Sequence, residues 1–403
     1  MDHCQHLWIN KRKNFAAAVI ATAAIFFALD ALGKPHVPVS DDIVLEQLPA
    51  AFLAARTVQN QPAIPTGRTD LEDALATARR YIQVGQTYSD PRAYGYAQAA
   101  LGKWWDADRA PAGVLVMRAR ILQFRHEFKP ALVQLEAALK TDQFDPDAWL
   151  LLASIEQVQG NVAAAKAACL KLIPMSDPLV GATCVASTAA LGDHADRGER
   201  LLEGVLQQAI TTSASERTWA WTTLAEIRAR RGEGADAEIA FKQALTTEPD
   251  DVYARAAYAD LMLDQQRSRD VRRLLGDSTQ ADALLLRAAI AAQRNGDDDA
   301  AALRTNLADR FAEARERGDE THLREQARFA LEVEHDVKRA LELATRNFAI
   351  QREPADARVL LDAAVAAGDA KAAQPALDWL LRTAIDAPHL HALAARLAGS
   401  VSG

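Results

Sequence analysis

The sequence predicts an all-α protein built as a solenoid of about nine helix-turn-helix repeats. Alanine, leucine, glutamate and arginine, which form helices readily, dominate a chain of 403 residues that has 6% aromatic residues. Runs of alternating β-branched residues bounded by turn dipeptides, which are typical of strands, are nearly absent. The third observation is an internal repeat, and it decides the fold class.

The repeat is best seen around Gly232, where apolar residues recur at fixed intervals. A shift of 72 residues places Trp221 on Trp149 and Gly232 on Gly160, and this offset equals two units of about 36 residues. A fixed period of this size is typical of a helical solenoid, in which each hairpin buries its faces against its neighbours. Further turn candidates follow the same spacing: Gly192-Asp193, Gln266, Gly296-Asp297, His335-Asp336 and Gly368-Asp369.

Residue size predicts how one repeat packs. Ala225 and Ala237 are small where the two helices of a hairpin must approach closely. Trp221 and Phe241 are large, and we expect them to fill the space between successive hairpins. Gly232 is expected to end the first helix in a left-handed turn, which other residues adopt at a cost.

This pattern resembles the tetratricopeptide repeat (TPR) family over roughly Thr69 to Ala384. The resemblance implies a right-handed superhelix with a concave groove, lined by the inner helices, that often holds a peptide. The residues that carry it are Trp221, Leu224, Ala225, Gly232, Ala237, Phe241, Ala244 and Pro249, with a second good copy from Ala148 to Ile173.

The resemblance also implies which side chains face the groove. TPR proteins that bind chaperones clamp a C-terminal carboxylate with lysine and asparagine, whereas this chain has Thr222 and Glu226, or Leu150 and Ser154, at those places. We therefore expect a protein or peptide partner of another class. The implied partner-binding residues are Trp219, Thr222, Glu226, Arg230, Leu150, Ser154 and Gln157.

Two cysteines form a candidate disulfide. In the TPR family the places held by Cys169 and Cys184 face each other between successive hairpins. An oxidising compartment would permit a bond between them. The alternative is a pair of free cysteines that pack as small hydrophobic residues.

The start of the chain predicts export. The basic residues Lys11, Arg12 and Lys13 precede an apolar stretch from Phe15 to Leu29, which is the pattern of an export signal. The stretch is short for a spanning helix, which needs about 20 apolar residues. Residues 1–33 are therefore expected to be either a cleaved signal peptide or a signal anchor.

The rest of the chain divides into a linker and the repeat domain. Residues 34–68 are expected to be a linker with a short amphipathic helix, and residues 69–403 the helical repeats. The basic end of the export segment stays in the cytoplasm. We expect the repeats to lie in a bacterial periplasm, either soluble or tethered to the inner membrane through residues 14–32.

Charge and motifs exclude several function classes. The net charge is −8 with both signs mixed along the chain, which argues against a nucleic-acid surface. Phosphate-binding glycine loops and nucleophile elbows are absent from the sequence, so we predict no catalytic, cofactor-binding or metal-binding residues. Asp297, Asp298 and Asp299 are expected to cap the next helix, with calcium binding as the alternative.

The sequence thus predicts a noncatalytic protein–protein interaction scaffold of the bacterial cell envelope. One alternative is a structural subunit of an envelope assembly or export complex. Another is an enzyme or ligand-binding protein with its site between degenerate repeats. The dense charges from Leu303 to Glu334 are expected to form a solvated helix face, and a closed cavity with buried charges there would favour the last alternative.

The export prediction has a direct test. Alkaline phosphatase fused after Gly403 is expected to be active, because that enzyme needs an oxidising compartment to fold. Activity is measured in intact cells, and deletion of residues 1–33 is the control that should abolish it. An inactive but stably expressed fusion would contradict export.

Overall fold

The computed structural model describes residues 70–88, 90–208, 212–278, 280–319 and 321–400. Within these ranges the chain forms nineteen α-helices and two 3-10 helices, with no strand. The all-α helical repeat is therefore confirmed, whereas the right-handed superhelix stays a prediction. The expected export segment and linker, residues 1–33 and 34–68, lie outside the described residues.

The helices follow one another as nine hairpins and a final helix. Their bounds are α1 Asp70–Tyr88, α2 Arg92–Leu101, α3 Ala112–Phe124, α4 Phe128–Thr141, α5 Pro146–Val158, α6 Val162–Leu172, α7 Pro178–Ala189, α8 Ala195–Leu206, α9 Ala214–Arg230, α10 Gly234–Thr247, α11 Val252–Asp264, α12 Ser268–Leu275, α13 Asp282–Asn295, α14 Ala300–Glu316, α15 Leu323–Glu332, α16 Val337–Ile350, α17 Pro354–Ala367, α18 Gln374–Thr383 and α19 Pro388–Ser400. The two 3-10 helices are Gly102–Trp104 and Ile173–Met175. Helix α9 shows the repeated packing, because it contacts α10 within its hairpin and α11 of the next hairpin.

The turns inside the hairpins lie where the sequence predicts them. Glycine takes left-handed φ at no steric cost, whereas histidine and glutamine lose roughly 1–2 kcal/mol in that conformation. At Gly192 the chain turns without a positive φ. The left-handed turn residues are His126 (φ 59°), Gly160 (75°), Gly232 (86°), Gln266 (60°), Gly296 (73°), His335 (58°) and Gly368 (65°).

The core consists of small residues within hairpins and large ones between them. Ala225 and Ala237 are fully buried, as expected for the close approach of α9 and α10. Phe241 is 1% exposed and stacks on Tyr258 of the next hairpin, with 5.4 Å between ring centroids. Trp221 is only half-buried at the edge of this cluster. Phe241 therefore fills the space between these two hairpins, and Trp221 packs against the same cluster from a less buried position.

Cys169 of α6 and Cys184 of α7 lie next to each other in the interior. Their sulfur atoms are 2.02 Å apart and their α-carbons are 5.6 Å apart, which is the geometry of a disulfide bond. Both residues belong to a buried cluster between the third and fourth hairpins, with Ala153 and Leu172.

The ninth hairpin contacts the turns of hairpins that are far away in sequence. The backbone N–H of Arg352 donates a hydrogen bond of 2.7 Å to the carbonyl oxygen of Val158. A Cβ atom at Gly160 would lie 3.4 Å from Nε1 of Trp379, so little room is left there. Because these contacts join residues nearly 200 positions apart, the array closes on itself.

Two side-chain contacts belong to the same closure. Gln351 lies 3.4 Å from the ring nitrogen Nε2 of His126, in the second hairpin. Nε of Arg231, in the fifth hairpin, lies 3.1 Å from Oδ2 of Asp386, just before α19. The C-terminal helices therefore reach the second, third and fifth hairpins, and the first helices of the hairpins face a common interior space.

The different burial of Phe241 and Trp221 predicts different costs of truncation. Phe241→Ala is expected to lower the free energy of unfolding by about 3–5 kcal/mol, because it removes a fully buried ring and leaves a cavity. Trp221→Ala is expected to cost less, because Trp221 is only partly buried. Urea unfolding of both variants measures the difference. An equal or larger cost for Trp221→Ala would contradict this account of the packing.

Candidate functional site

The first helices of the hairpins surround a cavity of about 1780 Å³ within the closed array. We call it the central cavity. Its wall consists mainly of the first helices of the hairpins (α1, α3, α5, α7, α9, α11, α13, α15 and α17) together with α19. A space of this size and concavity is typical of a binding site.

All seven residues that the resemblance places in the groove line the central cavity. Leu150, Ser154 and Gln157 lie on α5, whereas the other four lie on α9, two hairpins later. The structure thus brings the two sets to one wall. Their role in binding a partner stays a prediction.

The polar residues on α5 are engaged with neighbouring first helices. The amide nitrogen of Gln157 donates to Oγ of Ser187 at 3.0 Å and to Oγ1 of Thr188 at 2.6 Å. Oγ of Ser154 accepts a hydrogen bond of 3.1 Å from Gln123 of α3. These side chains hold α3, α5 and α7 together at the cavity wall.

Helix α9 carries a different kind of polar surface. Thr218, Thr222, Glu226 and Arg230 follow one another at intervals of four residues and all line the cavity, so we call them the α9 stripe. Both threonines are 2% exposed, and their hydroxyl oxygens make no hydrogen bond to any described residue. Nε of Arg230 is also buried and makes no hydrogen bond to any described residue. Because buried polar groups are nearly always hydrogen-bonded, the stripe has unused capacity for a ligand.

Trp219 lies beside the stripe and is partly buried. It lines the cavity and packs against the cluster that contains Cys169 and Cys184. Truncation of Trp219 would therefore disturb packing as well as the cavity surface. The indole is an anchor within the wall and not a freely exposed side chain.

A first group of charges in the cavity is well paired. Oδ2 of Asp260 lies 2.6 Å from Arg287 and Oδ1 lies 2.8 Å from Arg328. Burial alone would raise the pKa of Asp260, but the two guanidinium groups hold it well below its usual range. Arg328 also contacts Glu332 at 3.0 Å, so this network joins α11, α13 and α15.

A second group of charges is less well paired. The hydroxyl of Tyr253 donates to Glu226 at 2.7 Å, and Arg324 lies 3.4 Å from Glu325 and 3.4 Å from Glu353. Burial raises the pKa of both Glu226 and Glu353. Burial also opposes ionisation of Glu325, yet Arg324 holds the pKa of Glu325 at about 2. Arg324 thus stabilises the ionised form of Glu325 more than the ionised form of Glu353.

Apart from Glu226 and Arg230, sequence reasoning missed the charged residues of the cavity wall, although a signal for them was present. Glu226, Asp260, Arg294, Arg328 and Asp362 recur at intervals of 34 residues, and all five line the central cavity. Recurrence at the repeat period places residues on equivalent faces of successive hairpins. A search for charged residues in this register would have found the inner wall.

The dense charges from Leu303 to Glu334 divide between two environments. The last part of this run, with Arg324, Glu325, Arg328 and Glu332, lines the central cavity. The expectation that the whole run forms a solvated helix face is therefore wrong for this part. The reason is the closure of the array, which turns the exposed face of α15 inward.

Metal binding and membrane crossing find no support in the described helices. Among the described residues, no group of three or more histidine, cysteine, aspartate or glutamate side chains is arranged to hold a metal ion. In the segment considered for calcium, Asp297 lies 3.3 Å from Arg272 and Asp299 also pairs with that arginine. None of the described helices is both long and apolar enough to span a bilayer.

Comparison with known proteins gives structural similarity alone. No protein-family model matches the chain, and no curated protein matches its sequence. A thermophilic TPR protein from Thermus thermophilus is 23% identical, with a TM-score of 0.34, over 50% of this chain and 99% of that one. A Rap protein complexed with competence and sporulation factor is 12% identical, with a TM-score of 0.48, over 87% and 92% of the two chains.

A TPR protein from Parabacteroides merdae is 13% identical, with a TM-score of 0.36, over 73% of this chain and 98% of that one. At these identities and scores the similarities carry no statement about function. The helical-repeat fold rests on the hairpins and their left-handed turns.

The paired charges around Asp260 predict a pH-dependent contribution to stability. Since the pKa of Asp260 is lowered by folding, its ionised form stabilises the protein above the unfolded pKa of about 4, and this stability is lost as the pH falls. Asp260→Asn is expected to cost about 3–5 kcal/mol at pH 7, because it leaves Arg287 without its carboxylate partner and Arg328 with Glu332 alone. The cost should shrink at about pH 3.

Urea unfolding at both pH values measures this difference. Asp250→Asn is the control, because the Asp250 side chain is 96% exposed and lies 3.9 Å from its nearest cation. A cost for Asp260→Asn that is the same at both pH values would contradict the assignment.

Proposed function

We propose that this chain is a noncatalytic scaffold that binds an extended segment of a protein partner in its central cavity. The observation that carries the proposal is the α9 stripe, whose two buried threonine hydroxyls and Arg230 Nε have no partner among the described residues. A buried polar group without a hydrogen-bond partner destabilises the folded state. A ligand that supplies hydrogen bonds along the stripe removes that cost.

The dimensions of the stripe suit an extended peptide. Twelve residues separate Thr218 from Arg230, so the stripe is about 18 Å long at 1.5 Å per helical residue. About five residues of extended chain cover this length at roughly 3.3 Å each. Each peptide residue offers one N–H donor and one carbonyl acceptor, which match hydroxyl groups that can both donate and accept.

We also propose a location in the bacterial cell envelope. The basic cluster and apolar stretch at the start of the sequence support this location, as does the close approach of Cys169 and Cys184. Disulfides persist in oxidising compartments such as the periplasm. A partner there would be an envelope protein.

A ligand-binding protein with its site between degenerate hairpins is the second candidate. Its support is the set of charges from α15 that lines the cavity, including Arg324, Glu325 and Arg328. Convergent charged groups in a concave space are typical of sites for small polar ligands. In the first candidate the central cavity binds a segment of a protein, whereas in the second it binds a small polar ligand.

The proposal is tested first by photo-crosslinking. A photo-reactive phenylalanine analogue at position 219 is expected to cross-link a protein partner in cells. The same photo-reactive analogue at position 239 is the control, because Ile239 is 57% exposed and lies outside the cavity wall. Partners are identified by mass spectrometry. Cross-links at position 239 but none at position 219 would contradict binding in the cavity.

The second step uses a substitution that separates binding from stability. Thr222→Val keeps the shape of the side chain and removes an unpartnered hydroxyl, so we expect unchanged or higher stability but weaker binding of the cross-linked partner. Thr183→Val is the matched control. Thr183 is buried, donates to the Leu179 carbonyl oxygen at 2.7 Å and lies outside the cavity wall.

Thr183→Val should cost about 1 kcal/mol of stability and leave binding unchanged. Melting temperatures and partner affinity are measured for both variants. Unchanged affinity for Thr222→Val would overturn the proposed role of the stripe.

A further inference from the structure

The least balanced group of charges at the central cavity lies where the α9 stripe faces α15 and α17. It combines Glu226 of α9, Tyr253 of α11, Arg324 and Glu325 of α15 and Glu353 just before α17, which all line the cavity, with the fully buried Asp356 of α17. With Arg230, it contains four carboxyl groups and two guanidinium groups. We call these residues the acidic centre.

Among the described residues of the acidic centre, Arg324 is the one cation that forms ion pairs with carboxyl groups. Asp356 is 0% exposed and accepts from Asn347 at 2.8 Å and from the backbone N–H of Glu353 at 2.9 Å. Arg324 lies 3.4 Å from Glu325, Glu353 and Asp356 and is shared among all three. Glu226 has as its hydrogen-bond donor the neutral hydroxyl of Tyr253.

Arg230 does not form an ion pair with any carboxyl group of the acidic centre. It follows Glu226 by one helical turn, yet it makes no ion pair within 4 Å and no hydrogen bond to any described residue. With every carboxyl group ionised, the acidic centre carries two negative charges in excess. Burial raises the pKa of Glu226 and of Glu353, as expected for carboxylates that lack sufficient positive charge.

A second observation points to a ligand at this place. The hydroxyl of Thr222 lies one turn before Glu226 on the same face of α9, is buried, lines the cavity and has no partner among the described residues. A hydroxyl oxygen beside carboxylates accepts hydrogen bonds from N–H groups. Tyr253 is 61% exposed at the same wall, so the centre is accessible from the cavity.

We propose that the acidic centre binds a positively charged group of the partner segment, an arginine or lysine side chain, between Glu226 and Glu353. This inference rests on the proposed function and names the chemistry of its ligand. The cation supplies the missing positive charge, and its N–H groups donate to the two carboxylates and to Thr222. Such charge-assisted hydrogen bonds are about twice as strong as neutral ones.

The test uses the full chain and three fluorescent octapeptides that differ in one central residue. That residue is arginine, its uncharged isostere citrulline, or glutamate. We expect the arginine peptide to bind at least about tenfold more tightly than the citrulline peptide, and the glutamate peptide to bind most weakly. Fluorescence anisotropy gives the dissociation constants, and added salt should reduce the preference.

Variants assign the preference to the acidic centre. Glu226→Gln and Glu353→Gln each remove one charge and keep the shape of the side chain, so each should reduce the arginine preference severalfold. Glu248→Gln is the control, because Glu248 lines the same cavity but lies outside the acidic centre. It should leave the preference unchanged. Melting temperatures establish that all three variants are folded.

The outcomes separate this inference from the proposed function. Equal binding of the three peptides overturns the inference and leaves peptide binding in place. Tightest binding of the glutamate peptide also overturns it, because Arg230 and Arg324 would then be the charges that select the ligand. Failure of all three peptides to bind overturns both proposals.

Discussion

Closure of the helical array on itself is the constraint on which the site depends. The backbone hydrogen bond from Arg352 to Val158 and the ion pair between Arg231 and Asp386 join the C-terminal helices to hairpins far earlier in the chain. In an open solenoid each repeat contacts its neighbours and the concave face meets bulk water. Here the same face forms the wall of a cavity. Its side chains contact one another there, in place of bulk water.

The electrostatics of the interior follow from this closure. Charges that recur every 34 residues would be solvated on an open groove, but around a closed cavity they interact through a medium of lower polarity. Asp260 gains two guanidinium partners and stays ionised, whereas Glu226 and Glu353 gain too little positive charge. The charges around Asp260 are thus paired with one another, whereas those around Glu226 and Glu353 keep an excess of negative charge.

The proposed binding surface and the packing surface lie on different faces of the same helix. On α9, Ala225 packs within the hairpin, whereas Thr222 and Glu226 face the cavity. The four-residue spacing of the stripe keeps its members on one side, so the packing face is free to follow the repeat pattern. Under the proposed function, substitutions along the α9 stripe can therefore alter ligand binding without changing the fold.

The sequence by itself determined the helical repeat, because left-handed turns and close helix packing demand particular residues at fixed spacing, as at Gly232 and Ala237. The resemblance to the TPR family implied that Thr222, Glu226 and Arg230 face the groove, and the structure places all three at the central cavity. Only the closure of the array brings Glu353 and His389 of α19 to the cavity that Glu226 also lines. These placements depend on contacts between residues more than 100 positions apart, and no local spacing encodes such distances.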